Sequence, residues 1–152
     1  MVLRPGSTKE VSQILSLANS ERVAIVPQCG NTGLVGGQIP TAAGDEIVLS
    51  LSRLNKVRAV DADGGTMILD GGVTLAEAQK VAADAGWLFP LSLASEGSCQ
   101  IGGVLATNAG GVAVLSYGNA RALALGLGRF SRHEALLSFP LNNDTRTFTC
   151  DR

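Results

Sequence analysis

The sequence predicts an α+β fold, with helices packed on small mixed sheets. Three observations carry that expectation. Ser7-Thr8-Lys9-Glu10 and Thr74-Leu75-Ala76-Glu77 are capping boxes, and each opens an apolar run at helical spacing. Short β-rich runs over 22–26 and 47–51 alternate with them. Asp63-Gly64-Gly65 is a turn between two further β-like runs.

In chain order, the first helix spans 8–19. Ser7 caps it, and Val11, Ile14, Leu15, Leu17 and Ala18 form its apolar stripe. The run 22–26 is a strand that feeds a glycine-rich loop, and 47–51 is a second strand. Residues 57–61 and 66–70 pair as a hairpin. A second helix spans 75–85, with Leu75, Ala78, Val81 and Ala82 on one face and Gly86 as its C-cap. Ile101, Val104, Leu105 and Asn108 share the face of a short helix, and 122–127 is a further strand.

The 152 residues suffice for one domain. Apolar residues make up 45% and charged residues 16%, with a net charge of −1. That balance offers no electrostatic footprint for nucleic acid or an anionic membrane. No window approaches the ~20 apolar residues of a membrane span. The start, MVLRPGSTKEV, lacks the apolar core of a signal peptide. Cys29, Cys99 and Cys150 are odd in number and scattered, which suits neither a disulfide framework nor a zinc site. A reducing, cytoplasmic location and no metal are the expectation.

After the first strand run comes PQCGNTGLVGG, residues 27–37. Its glycine spacing is G-x-x-G-x-x-G-G. It matches neither the G-x-G-x-x-G of a dinucleotide fold nor a P-loop, which requires Lys and a hydroxyl. Glycines let successive amides turn toward one point and hold an anion, phosphate above all. A second glycine-rich element, SEGSCQIGGVLATNAGG, fills 95–111.

Together PQCGNTGLVGG, PLSLASEGSCQIGGVLATNAGG and YGNAR resemble the FAD-binding oxidoreductases of the vanillyl-alcohol oxidase / p-cresol methylhydroxylase (PCMH) type. Within these the chain is most similar to the D-lactate and D-2-hydroxyglutarate dehydrogenase branch, with glycolate oxidase subunits. The resemblance runs over about residues 2–127. It implies a PCMH-type FAD-binding domain whose first lobe is complete and whose second lobe is truncated. It implies FAD as cofactor. The diphosphate falls to Gly30, Asn31, Thr32, Gly33 and Leu34, in a loop shaped by Pro27, Gly36 and Gly37. The rest of the cofactor falls to Gly97, Ser98, Ile101, Gly102, Gly103, Thr107, Asn108, Gly110 and Gly111. Cys29 departs from the pattern, where glycine is usual, and reads as a small apolar residue.

The intact relatives are expected to oxidise a small D-2-hydroxy acid (D-lactate, D-2-hydroxyglutarate or glycolate) by hydride transfer to flavin. A mitochondrial location is expected in a eukaryote. No catalytic base is identified. Asp61, Asp70, Glu96 and Arg121 read as structural or solvated, and the lone histidine, His133, lies outside the resemblance. The start reads as clipped relative to the family. Glycine is absent after Gly128, while Phe130, Phe139 and Phe148 follow it. Residues 1–128 are therefore expected to form the partial domain. Residues 129–152 are expected to be an unmatched tail, from a shifted reading frame or disordered. Two readings follow: the N-terminal part of a flavoenzyme, or a truncated remnant without catalysis that binds a nucleotide at best.

Overall fold

A computed structural model describes residues 1–130, 136–140 and 148–149, with side chains through residue 128. The Ser7 hydroxyl accepts the Glu10 N–H at 3.2 Å, and the Glu10 carboxylate accepts the Gly6 N–H at 2.7 Å. With its first amides answered in this way, helix α1 runs Thr8–Ser20. It crosses between β1 (Val2–Leu3) and β2 (Ala24–Gln28), and β3 (Glu46–Ser50) lies between those strands. All three are parallel, a pairing that requires such a crossover. Val11, Leu49 and Leu54 make a small core here, with Ile14, Leu15 and Ile25 packed against it. The Gln28 carbonyl accepts the Leu51 N–H at 2.9 Å, so Gln28 faces β3. Pro27, one residue earlier, faces the outer edge of the sheet, where its missing N–H leaves no ladder bond unmade.

The predicted hairpin forms from β4 (Val57–Asp61) and β5 (Thr66–Leu69). Asp61 Oδ1 accepts the Asp63 and Gly64 amides at 3.1 and 2.9 Å, and Gly65 takes φ 62° to close the turn. Asp70 is buried just past β5. Arg58 Nε donates to it at 2.6 Å and the Lys56 N–H at 3.3 Å. That pair pins the hairpin base beside a register shift between Val57 and Ala59.

Thr74 caps helix α2 (Leu75–Asp84), accepting the Glu77 N–H at 3.2 Å. Gly86 follows the C-cap at φ 80°, as a helix-ending glycine does. Leu75, Ala78 and Ala82 enter the larger core with Met67, Val73, Phe89 and Leu91. Helix α3 (Ile101–Ala106) adds Ile101, Val104 and Leu105 to it, and α4 (Val114–Tyr117) is a single turn. Strands β6 (Gly126–Phe130) and β7 (Leu136–Pro140) pair antiparallel, and β8 (Phe148–Thr149) pairs with β5. Among the described residues, parallel and antiparallel pairing thus occupy separate sheets.

The strand expected over 122–127 is corrected. Ala120–Leu123 is a 3-10 turn, and β6 starts only at Gly126. Arg121 is the reason. Its Nε and Nη2 donate to the Leu105 and Ala106 carbonyls at 2.8 and 2.7 Å, and its N–H donates to Asn108 Oδ1 at 3.1 Å. Those bonds satisfy the C-terminal carbonyls of α3 and hold the segment curled.

The two cores meet at Gly72. Its N–H donates to the Leu54 carbonyl at 2.7 Å. A Cβ there would lie 2.6 Å from that oxygen and closer still to the Leu51 carbonyl. We expect Gly72→Ala to cost about 2–3 kcal/mol in urea unfolding. Gly37→Ala, with nothing within 4 Å, should change stability by less than about 0.5 kcal/mol. Asp70→Asn should cost about 1.5–3 kcal/mol, because it removes a charged acceptor from a buried place. Equal midpoints for wild type and Asp70→Asn would refute that role.

Candidate functional site

Strands β2 and β3 end at Gln28 and Ser50, on the same side of the parallel sheet. Ligands bind beyond such carboxyl ends. The loop 29–37 leaves from there. Asn31 sits at φ 53° and Gly36 at φ 76°. Among the described residues, no backbone amide from Gly30 to Gly37 donates a hydrogen bond. The loop is held from its ends by side chains instead. Gln28 Nε2 donates to the Gln38 carbonyl at 2.9 Å, and Gln38 Nε2 donates to the Gly33 carbonyl at 2.7 Å.

The second glycine-rich segment lies against this loop. The Ser98 and Cys99 amides donate to the Ser95 carbonyl at 2.8 and 2.7 Å, forming a tight turn before α3. Gly30 presses on that turn. A Cβ at residue 30 would lie 2.8 Å from Cys99 Cα and would overlap the Ser98 carbonyl oxygen. Gly103 faces Cys29, whose Cβ would be 3.2 Å from an added Cβ. The two segments enclose a cleft of about 410 Å³.

Of the residues singled out in the sequence, Pro27, Gly30, Asn31, Thr32, Gly33 and Gly37 line this cleft from the first segment. Gly102, Gly103 and Thr107 line it from the second. The others lie off it. Leu34 is fully exposed, while Ile101 is sealed in the larger core. Gly36 and Gly97 face open space, and Ser98 is exposed. Asn108 is engaged with the Arg121 amide. An added Cβ at Gly110 would meet Val114 at 3.2 Å, and one at Gly111 would overlap the Ser92 carbonyl. Gln38, Ser95 and Gln100 line the cleft without having been singled out. Gln38 stands one residue beyond its motif, so only the fold reveals it. Gln100 Oε1 is buried with no hydrogen-bond partner among the described residues.

Among the described residues, Cys29 and Cys99 are the only titratable side chains lining the cleft. Burial pushes the Cys29 thiol up from its ordinary range, opposed by the Gly103 amide. A protonated, half-buried thiol behaves as a small apolar group. Asp61, Asp70 and Arg121 take the structural roles described above, and Glu96 accepts Gln79 Nε2 at 3.2 Å. None of the four lines the cleft. His133 lies outside the described residues. Among the described residues no cluster of three His, Cys, Asp or Glu could hold a metal, and no helix is long and apolar enough to cross a membrane.

Comparison with known proteins shows the family. Residues 1–129 match the family model described as FAD binding domain. The chain is 46% identical over 127 residues to a D-2-hydroxyglutarate–pyruvate transhydrogenase of Saccharomyces cerevisiae, covering 84% of this chain and 25% of that protein. It is 45% identical over 123 residues to a D-2-hydroxyglutarate dehydrogenase of Xanthomonas citri, covering 81% and 26%. A mitochondrial D-2-hydroxyglutarate dehydrogenase of Arabidopsis thaliana is 41% identical, covering 84% and 22%. Among solved structures, an alkyldihydroxyacetonephosphate synthase superposes with a TM-score of 0.82 at 26% identity. That match covers 93% of this chain and 26% of the synthase. The chain thus spans about a quarter of the length of these relatives. With both glycine segments inside the matched region and closing on one cleft, the chain belongs to the FAD binding domain family, of PCMH-type fold, and its cofactor is FAD.

Proposed function

We propose that this chain is the cofactor-holding N-terminal part of a flavoenzyme that oxidises a small D-2-hydroxy acid. D-2-hydroxyglutarate, D-lactate and glycolate are the candidate substrates. One observation carries the reading: both glycine-rich segments wall a single cleft, and the amides of Gly30, Asn31, Thr32 and Gly33, which line it, donate no hydrogen bond among the described residues. The residues fit FAD. A diphosphate with neither metal nor lysine at hand is neutralised by backbone dipoles, which Gly30, Asn31, Thr32 and Gly33 supply. Gly102 and Gly103 line the opposite wall, where an added Cβ would press on the Gly71 carbonyl and on Cys29, so the two segments can close on the cofactor only with glycine there. Bound FAD provides a two-electron acceptor for the hydride of the hydroxy acid.

Oxidising an alcohol also requires a group to take the hydroxyl proton. Among the described residues Cys29 and Cys99 are the only titratable groups lining the cleft, and burial raises the Cys29 pKa, which favours its protonated form. This favours a second reading for the chain by itself, in which it seats the nucleotide and turns nothing over. We propose a domain over residues 1–128 and a tail over 129–152; the family match ends at residue 129, and β6 runs across that boundary to Phe130. A frame-shifted origin of the tail is tested by sequencing the locus, where one uninterrupted authentic frame would refute it. A cytoplasmic location, or a mitochondrial one in a eukaryote, rests on relatives such as the mitochondrial Arabidopsis protein; fractionation with antibody detection tests it.

Titration of the purified chain with FAD should quench flavin fluorescence to saturation. Thr32→Glu, which sets a carboxylate in the exposed loop, should weaken binding about tenfold or more by charge repulsion. A chain that binds no flavin, or a variant that binds as wild type does, refutes the assigned diphosphate seat. With FAD, D-2-hydroxyglutarate or D-lactate and a dye acceptor, the chain alone should give no turnover; measurable turnover refutes the second reading. Iodoacetamide should modify Cys29 slowly at pH 7 and faster only as the medium turns alkaline, because the raised pKa keeps the thiol protonated through neutrality. Fast modification at pH 7, read by mass spectrometry, would contradict this.

A further inference from the structure

We infer that Gln28 and Gln38 are positioning residues that set the shape of the diphosphate loop before the cofactor arrives. This rests on the FAD reading of the cleft and adds to it two residues that touch the loop rather than forming it. The loop 30–37 has no hydrogen bond from its own amides among the described residues, and residues 31–37 are exposed. Backbone pairing therefore cannot fix its curve. Two carboxamides do so. Gln28, the last residue of β2, reaches ten residues forward to the Gln38 carbonyl. Gln38 turns back five residues to the Gly33 carbonyl. Both acceptors are carbonyl oxygens, so each glutamine must present its NH₂ and the assignment has no alternative orientation. The chain from β2 to Gly33 is thus closed by two side chains in series, anchored on a strand. Outside this pair, the one backbone turn within the segment is the Ile39 amide on the Gly36 carbonyl at 3.0 Å.

The two bonds are unequal. Gln28 to Gln38 is partly buried, and Gln38 to Gly33 is exposed. Water competes less for the first, so it does more to hold the loop. Gln28 does not line the cleft, whereas Gln38 does. An effect of changing Gln28 on the cofactor must therefore act through the loop. A loop already curved gives up less conformational freedom on binding, and that raises affinity without a new contact.

The test uses the whole chain with Gln28→Met and Gln38→Met, which keep length and remove the donor. Gln28→Met should weaken FAD about tenfold, and Gln38→Met about two- to threefold, with little change in melting temperature. In the absence of FAD, thermolysin should cut before Leu34 and Val35 several times faster in Gln28→Met than in wild type. The Gln38→Met change, at a half-buried residue, serves should Gln28→Met fail to fold. Wild type that binds FAD alongside variants with unchanged affinity and unchanged cleavage overturns the positioning role and leaves the cofactor reading intact. Wild type that binds no FAD overturns the cofactor reading, and thermolysin rates equal to wild type then overturn the loop role as well.

Discussion

The cleft exists because one backbone can lie directly on another at Gly30. The Ser98–Cys99 turn fills the place where any side chain at residue 30 would stand. Gly72 repeats the device between the Leu51 and Leu54 carbonyls, where the two cores join. In both places the spacing of two elements is fixed by the absence of a methyl group, and interiors packed to crystal density tolerate no such addition. The loop beyond β2 and the start of α3 are therefore held close, and the carboxamides of Gln28 and Gln38 set the curve of the loop over the cleft between them.

Much of this was legible in the chain, for local reasons. Ser7 and Thr74 announce their helices because a capping bond spans three residues. The β4–β5 hairpin was legible in Asp63-Gly64-Gly65, since Gly65 alone meets the positive φ of the turn. What escaped depends on contacts distant in sequence. The alternating Ala and Leu of 122–127 suit a strand, but Arg121 binds the end of α3 and curls the segment. Glycines look alike in sequence: Gly30 and Gly111 press on backbone carbonyls, whereas Gly36 and Gly97 open on empty space. Asn108 is chemically suited to a ligand, yet its oxygen is already taken by the Arg121 amide. Gln28 and Gln38 carry no local signal, because each matters only through a partner brought near by the loop.

The chemistry of the cleft is one of restraint. Neutral amides, glycines and carboxamides line it, and the thiol of Cys29 is kept protonated by burial. Such a lining suits a cofactor that carries its own reactivity and asks of the protein only a fixed seat. The charged residues of the described chain serve elsewhere: Arg58 and Asp70 at the hairpin base, Arg121 at the end of α3, Asp61 in a turn.

Pro27 adds a protective property. The strand that launches the loop lies at the border of its sheet, and a border strand offers its outward amides to any extended peptide that drifts past. At residue 27 that offer is withdrawn, because the imino ring has nothing to donate. Strand-by-strand templating into fibrils cannot propagate cleanly across this margin. The ring near the end of the strand that launches the loop thereby also guards the sheet against recruiting its own copies.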